Sequence, residues 1–155
     1  MTINTKAVIE YFESFLKRVG ERKGALLNIH SGEGESAVQF MEPTYDVQEF
    51  LSPPAKGESE GVWPFADRQF DLVLDLFGYK HQSSDQQKAV YRRELKRVLK
   101  DDGLYLLSFA DDKDGKTETK EEVERDFFPS FVLVDYSEGP ESGPSYIIRK
   151  NTEIL

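Results

Sequence analysis

Residues 25–37 read Ala-Leu-Leu-Asn-Ile-His-Ser-Gly-Glu-Gly-Glu-Ser-Ala. An apolar run stops, two glycines follow one residue apart, and a helix-compatible segment begins. Strand, tight turn and helix in that order constrain the chain to an α/β unit. Such a turn offers backbone N–H groups and a helix N-terminus to a nucleotide-like ligand.

The remaining sequence continues the alternation. Thr5 is placed to cap a first helix whose apolar stripe is Val8, Ile9, Phe12, Phe15, Leu16 and Val19, with Gly20 ending it. After the strand over 25–29, a short helix is expected over 35–41, stopping before Pro43, then a weak strand over 47–51. Residues 52–61 hold prolines, glycines and charges, which reads as a loop. Residues 70–77 have a buried-strand pattern. Ser84 and Asp85 open a long helix through Lys100, with Tyr91, Leu95, Val98 and Leu99 on its apolar face. Asp102-Gly103 turns the chain into a strand over 104–109. A helix over 120–127, a strand over 131–136, a Gly/Pro-rich turn over 138–144 and a strand over 146–149 complete the order. Strands alternating with helices predict a three-layer α/β sandwich on a mostly parallel sheet. The last two strands have no helix between them and are expected to pair antiparallel.

At 155 residues the chain is expected to form a single domain, with residues 1–23 as an N-terminal helical cap and 24–155 as the core. No stretch is apolar for long enough to cross a bilayer, and residues 1–6 have no signal-peptide pattern. The absence of cysteine excludes disulfides and thiolate metal sites and points to a cytoplasmic location. The two histidines are far apart, so no metal site is expected. A net charge of −9 disfavours nucleic acid as a partner. Lys88, Arg92, Arg93, Lys96, Arg97 and Lys100 fall on one expected helix and read as its solvated face.

Three segments resemble the class I S-adenosylmethionine-dependent methyltransferases. Leu27-Asn28-Ile29-His30-Ser31-Gly32-Glu33-Gly34 is similar to that family's first, glycine-rich motif. Trp63-Pro64-Phe65, followed by Phe70-Asp71-Leu72-Val73-Leu74, is similar to the segment entering its fourth strand. The stretch from Tyr91 to Ser108, through Asp101-Asp102-Gly103, resembles its following helix, turn and fifth strand. The resemblance implies a Rossmann-like core, S-adenosylmethionine as cofactor and a small-molecule methyl acceptor.

It also implies residue roles. Gly32 and Gly34 would approach the cofactor's amino-acid and ribose parts. Asn28 stands where the family usually has an acid near the cofactor's ammonium group, and His30 stands at the first glycine. A positive φ at His30 would be costly, and its side chain would lie in or beside the pocket. Glu49 is the candidate for the ribose hydroxyls, fifteen positions after Gly34 where about twenty is usual. Glu58 and Ser59 resemble the segment beside the adenine, although the helix and third strand usual between Leu51 and Trp63 have no room here. His81 is a candidate base for an acceptor hydroxyl or amine, with Asp75 beside it as a second catalytic candidate. Trp63 and Phe65 are read either as stacking surfaces or as packing under a loop. The departures at Asn28 and His30, and the missing unit, support an alternative: a catalytically inactive methyltransferase-like binding module, working as a homodimer or with a protein partner.

Overall fold

The computed structural model describes residues 5–19, 24–30, 45–51, 62–75, 79, 84–109, 119–137 and 144–152. Three helices and six strands form in these segments: α1 (Thr5–Val19), β1 (Gly24–His30), β2 (Tyr45–Leu51), β3 (Phe70–Asp75), α2 (Asp85–Val98), β4 (Leu99–Ser108), α3 (Lys120–Phe127), β5 (Phe131–Ser137) and β6 (Ser145–Lys150). The strands make one sheet in the order β2-β1-β3-β4-β6-β5. β1, β2, β3 and β4 run parallel, and β6 is antiparallel to both β4 and β5. The expected mixed sheet, with its antiparallel C-terminal pair, is the sheet observed.

Both faces of the sheet are covered, which explains the unbroken apolar runs in the strands. Successive residues point to opposite faces. Leu26, Leu72, Leu74, Leu104, Leu106 and Ile147 pack on one side against Val8, Ile9, Phe12, Phe15 and Leu16 of α1. Leu27, Val73, Tyr105, Leu107 and Ile148 pack on the other against Tyr91, Leu95 and Val98 of α2 and Val123 and Phe127 of α3. α1 covers one face of the sheet. Thr5, expected as the cap of this helix, is itself helical. The Tyr11 hydroxyl donates to Asp135 Oδ2 over 2.7 Å, tying α1 to β5. Burial, and then the Asp135 carboxylate, hold that phenol protonated far above its ordinary range.

The helix expected to run through Lys100 ends two residues earlier. Ser84 Oγ accepts from the Gln87 N–H at its start, and Leu99 at its end already has extended backbone. Leu99 leaves the helix because it pairs with Phe70 across β3 and β4. The turn expected at Asp102-Gly103 is a register irregularity inside β4, where the pairing jumps from Phe70–Leu99 to Leu72–Leu104. A Cβ at Gly103 would sit 2.6 Å from Leu99 Cδ1 and 3.0 Å from the Asp71 carbonyl oxygen, so this crowded kink needs glycine. The start of α3 matches the expected boundary because Thr119 and Glu122 form a reciprocal capping box.

The reading of the basic residues as one solvated face is corrected in three places. Arg97 is 27% exposed and bonds Glu94, Asp67 and the carbonyls of Trp63 and Phe65. Lys100 belongs to β4 and bonds the Asp71 carboxylate at 3.1 Å. Arg92 donates to the Tyr79 hydroxyl at 2.8 Å. Glu94, only 3% exposed, also accepts from the Trp63 N–H at 2.9 Å. Burial alone would raise the Glu94 pKa. The bonds from Arg97, Trp63 and Arg93 outweigh it and hold the carboxyl below its ordinary value. This knot fixes the stretch that leads into β3.

Candidate functional site

β2 lies on one side of β1 and β3 on the other, so the chain reverses its winding direction at the β1–β3 pair. In open α/β sheets, the crevice beyond the carboxyl ends of the strands at such a point is where ligands bind. Four of the residues picked out by the sequence, Asn28, His30, Glu49 and Asp75, stand near those ends.

Asn28 on β1 is in register with Glu49 on β2 and with Leu74 on β3. By strand alternation with Leu26 and Val47, both polar side chains are on the α1 face. Asn28 is 3% exposed, whereas Glu49 is exposed. Asn28 Nδ2 donates to Glu49 Oε1 across 3.5 Å, the long limit of a hydrogen bond. An amide suits this spot, because two adjacent carboxylates would repel one another with one of them buried. Asn28→Asp is therefore expected to destabilise the ligand-free protein by about 1–3 kcal/mol at pH 7. The new carboxyl's folded pKa would lie above its unfolded value near 3.9. The penalty should thus shrink as the pH falls towards 4, and denaturant melts of both proteins at pH 7 and pH 4.5 check this.

His30 is the last residue of β1, paired with Leu51. Among the described non-glycine residues only Arg68 has a positive φ, so the backbone strain expected at His30 is absent: that position is ordinary strand. Its side chain, and the residues Gly32, Gly34, Glu58, Ser59 and His81, lie outside the described residues.

Asp75, at the carboxyl end of β3, is fully buried. Its Oδ2 accepts from the Tyr79 N–H at 2.9 Å and from the Tyr91 hydroxyl. The Tyr91 and Tyr105 hydroxyls are 2.8 Å apart. Since Tyr91 gives its proton to Asp75, Tyr105 is the donor in that second bond. Burial, then the charge of Asp75, push the Tyr91 pKa well above its ordinary value, so the phenol stays a donor. Asp75, expected as a catalytic group, is a buried carboxylate whose bonds hold its neighbours in place. It holds the Tyr79 backbone, and Tyr79 in turn bonds Arg92 and Asp126. The sequence signal for this network was present in part, as Tyr91 shares its helix face with Leu95 and Val98, and Tyr105 its strand face with Leu107.

Trp63 and Phe65 are packing residues. Trp63 is 6% exposed, with its ring 5.2 Å from those of both Phe50 and Tyr91. Phe65 meets Phe50 and Phe70 edge-on. These contacts continue through Tyr79 and Phe127 to Phe131, an aromatic row running under the site from β2 to β5.

Neither a family model nor a curated protein sequence matches the chain. Solved structures do. A glycopeptide N-methyltransferase, MtfA, complexed with S-adenosylmethionine, is 12% identical with a TM-score of 0.68, over 97% of this chain and 95% of that one. A SAM-dependent methyltransferase from Aquifex aeolicus is 13% identical with a TM-score of 0.63, over 95% and 98% of the two chains. A TehB-like SAM-dependent methyltransferase from Corynebacterium glutamicum is 14% identical with a TM-score of 0.62, over 96% and 100%. The strand order, the antiparallel β6 and the near end-to-end superposition on these proteins together give this chain the fold of the S-adenosylmethionine-dependent methyltransferases.

Proposed function

We propose that the chain binds S-adenosylmethionine at the carboxyl ends of β1 and β2 and transfers its methyl group to a small-molecule acceptor. The observation that carries this reading is the in-register pair Asn28 and Glu49, one buried and one exposed, beside the switch point of the sheet. The donor set suits the group. Glu49 offers a carboxylate for vicinal hydroxyls, and the Asn28 side-chain oxygen is an acceptor for an ammonium. The turn holding Gly32 and Gly34 follows directly on β1 in the sequence and would bring backbone N–H groups to the cofactor, with Glu58 and Ser59 beside the adenine. When bound, the cofactor supplies a methyl group already activated by its sulfonium.

The protein's part is then mainly to align the acceptor and exclude water. His81 takes the proton from the acceptor's hydroxyl or amine. Asp75, through Tyr79 and Tyr91, fixes the chain just beyond β3. The protein works as a single cytoplasmic domain without nucleic acid, metal or membrane.

Calorimetry with S-adenosylmethionine and its demethylated product tests the reading. The wild type is expected to bind both. Glu49→Gln, an exposed change compatible with folding, is expected to weaken binding at least tenfold, as the loss of a charged hydrogen bond worth about 1.5–3 kcal/mol would do. No heat, together with no rise in Tm at large ligand excess, would overturn it. Binding without turnover on any acceptor would favour the inactive binding module instead.

A further inference from the structure

One cavity at the end of the sheet away from the crevice is lined by more cations than carboxylates, against the sign of the molecule as a whole. There, where β3 and β4 begin and β6 ends, this cavity of about 500 Å³ is lined by Arg68, Arg93, Lys96, Arg97 and Lys150, with Asp67 and Asp101 as the carboxylates. Arg93 and Arg97 both bond the buried Glu94, and Arg97 also bonds Asp67. That leaves Arg68, Lys96 and Lys150 with Asp101 as the lining carboxylate, a local excess of cations in a chain of net charge −9.

Basic residues in the last turn of a helix favourably meet its dipole, which accounts for Lys96 and Arg97 on α2. It does not account for Arg68 or Lys150, which come from the turn before β3 and the end of β6. Arg68 has φ 52°, unusual for a residue with a Cβ. Its N–H donates to the Arg97 carbonyl over 2.8 Å, which holds it in that conformation at the mouth of the cavity. The Lys150 side chain is 8% exposed, and its Nζ lies 3.3 Å from Asp101 Oδ1. The same oxygen is 3.7 Å from Arg68 Nε, and the Asp101 side chain is 66% exposed. One solvated carboxylate thus serves two cations, one of them buried. Burial, then the charges of Arg68 and Lys96, draw the Lys150 pKa below its ordinary value despite Asp101. A bound anion would relieve that repulsion.

We propose that this cavity binds a small phosphate-bearing anion, with Arg68 and Lys150 as its principal contacts. A guanidinium at the mouth can grip two phosphate oxygens at once, and a buried ammonium supplies a point charge from below. The volume exceeds that of a bare phosphate group, which suits a phosphomonoester or diphosphate with an organic body.

Pyrophosphate is the probe, titrated by calorimetry into the whole chain, with sodium chloride and sodium sulfate controls at matched ionic strength. Wild type is expected to bind pyrophosphate at least tenfold more tightly than sulfate. Arg68→Gly, which also relieves the positive φ, and Lys150→Met, which keeps the buried volume, should each keep Tm at or above the wild-type value. Each should weaken pyrophosphate at least tenfold. Any of four results would overturn the proposal: no binding by wild type, equal binding of sulfate, affinity unchanged in both variants, or an oligonucleotide competitor whose affinity grows with its length. The last would mark a nucleic-acid backbone site.

Discussion

Glu94→Ala is expected to cost roughly 3–5 kcal/mol of stability at neutral pH, the usual consequence of removing one partner from a buried, hydrogen-bonded charge pair. The substitution takes the acceptor from the Trp63 N–H and from Arg97, and part of the charge match from Arg93. Arg97 would keep the Trp63 and Phe65 carbonyls, but its guanidinium would lose its buried counter-charge. The loss has a definite pH signature. The folded-state pKa of Glu94 lies below its ordinary value, so its contribution is complete above the unfolded pKa near 4.3. It disappears as acid titrates the carboxyl through its folded value. Urea melts of both proteins should therefore differ most near pH 7 and converge below pH 4. A constant gap across that range would mean that Glu94 contributes packing and not charge.

Asp75→Ala should be nearly as severe, at about 2–4 kcal/mol, because the Tyr91 hydroxyl and the Tyr79 N–H would be left in a dry interior without their shared acceptor. Tyr91→Phe in the Asp75→Ala background removes one of the stranded donors and is expected to recover about 1 kcal/mol. Recovery of stability in the double variant would show that the Asp75 carboxylate serves as acceptor for these buried donors; no recovery would mean that Tyr91 turns to the Tyr105 oxygen instead.

The sheet was legible in the sequence because its strands are buried on both faces and read as apolar runs, and because glycines and prolines punctuate them. The α2–β4 junction was misread for a physical reason. Leu99 and Lys100 continue the helical periodicity of α2, and the cross-strand partner Phe70 decides that Leu99 is extended. Such a partner lies far away in sequence and leaves no local mark. The same holds for Arg97. Its neighbours on α2 are charged, so it looks solvated, yet the acceptors that claim it belong to the segment before β3. At the site, Asn28 and Glu49 could be picked out individually, but their pairing follows from strand register. The buried network below Asp75 was hidden because tyrosine reads as apolar in a periodicity argument while its hydroxyl still needs a partner.

The place of β6 has a consequence for how such a chain assembles. β6 follows β5 in the sequence, yet it lies inside the sheet, between β4 and β5. A chain emerging from the ribosome therefore exposes the edge of β4, with Leu104, Leu106 and Leu107, until β6 arrives. The interval is one in which neighbouring nascent chains can pair edge to edge. Loss of β6 would strip a seam from inside the sheet and detach β5 with it, so quality control would meet an open, adhesive sheet.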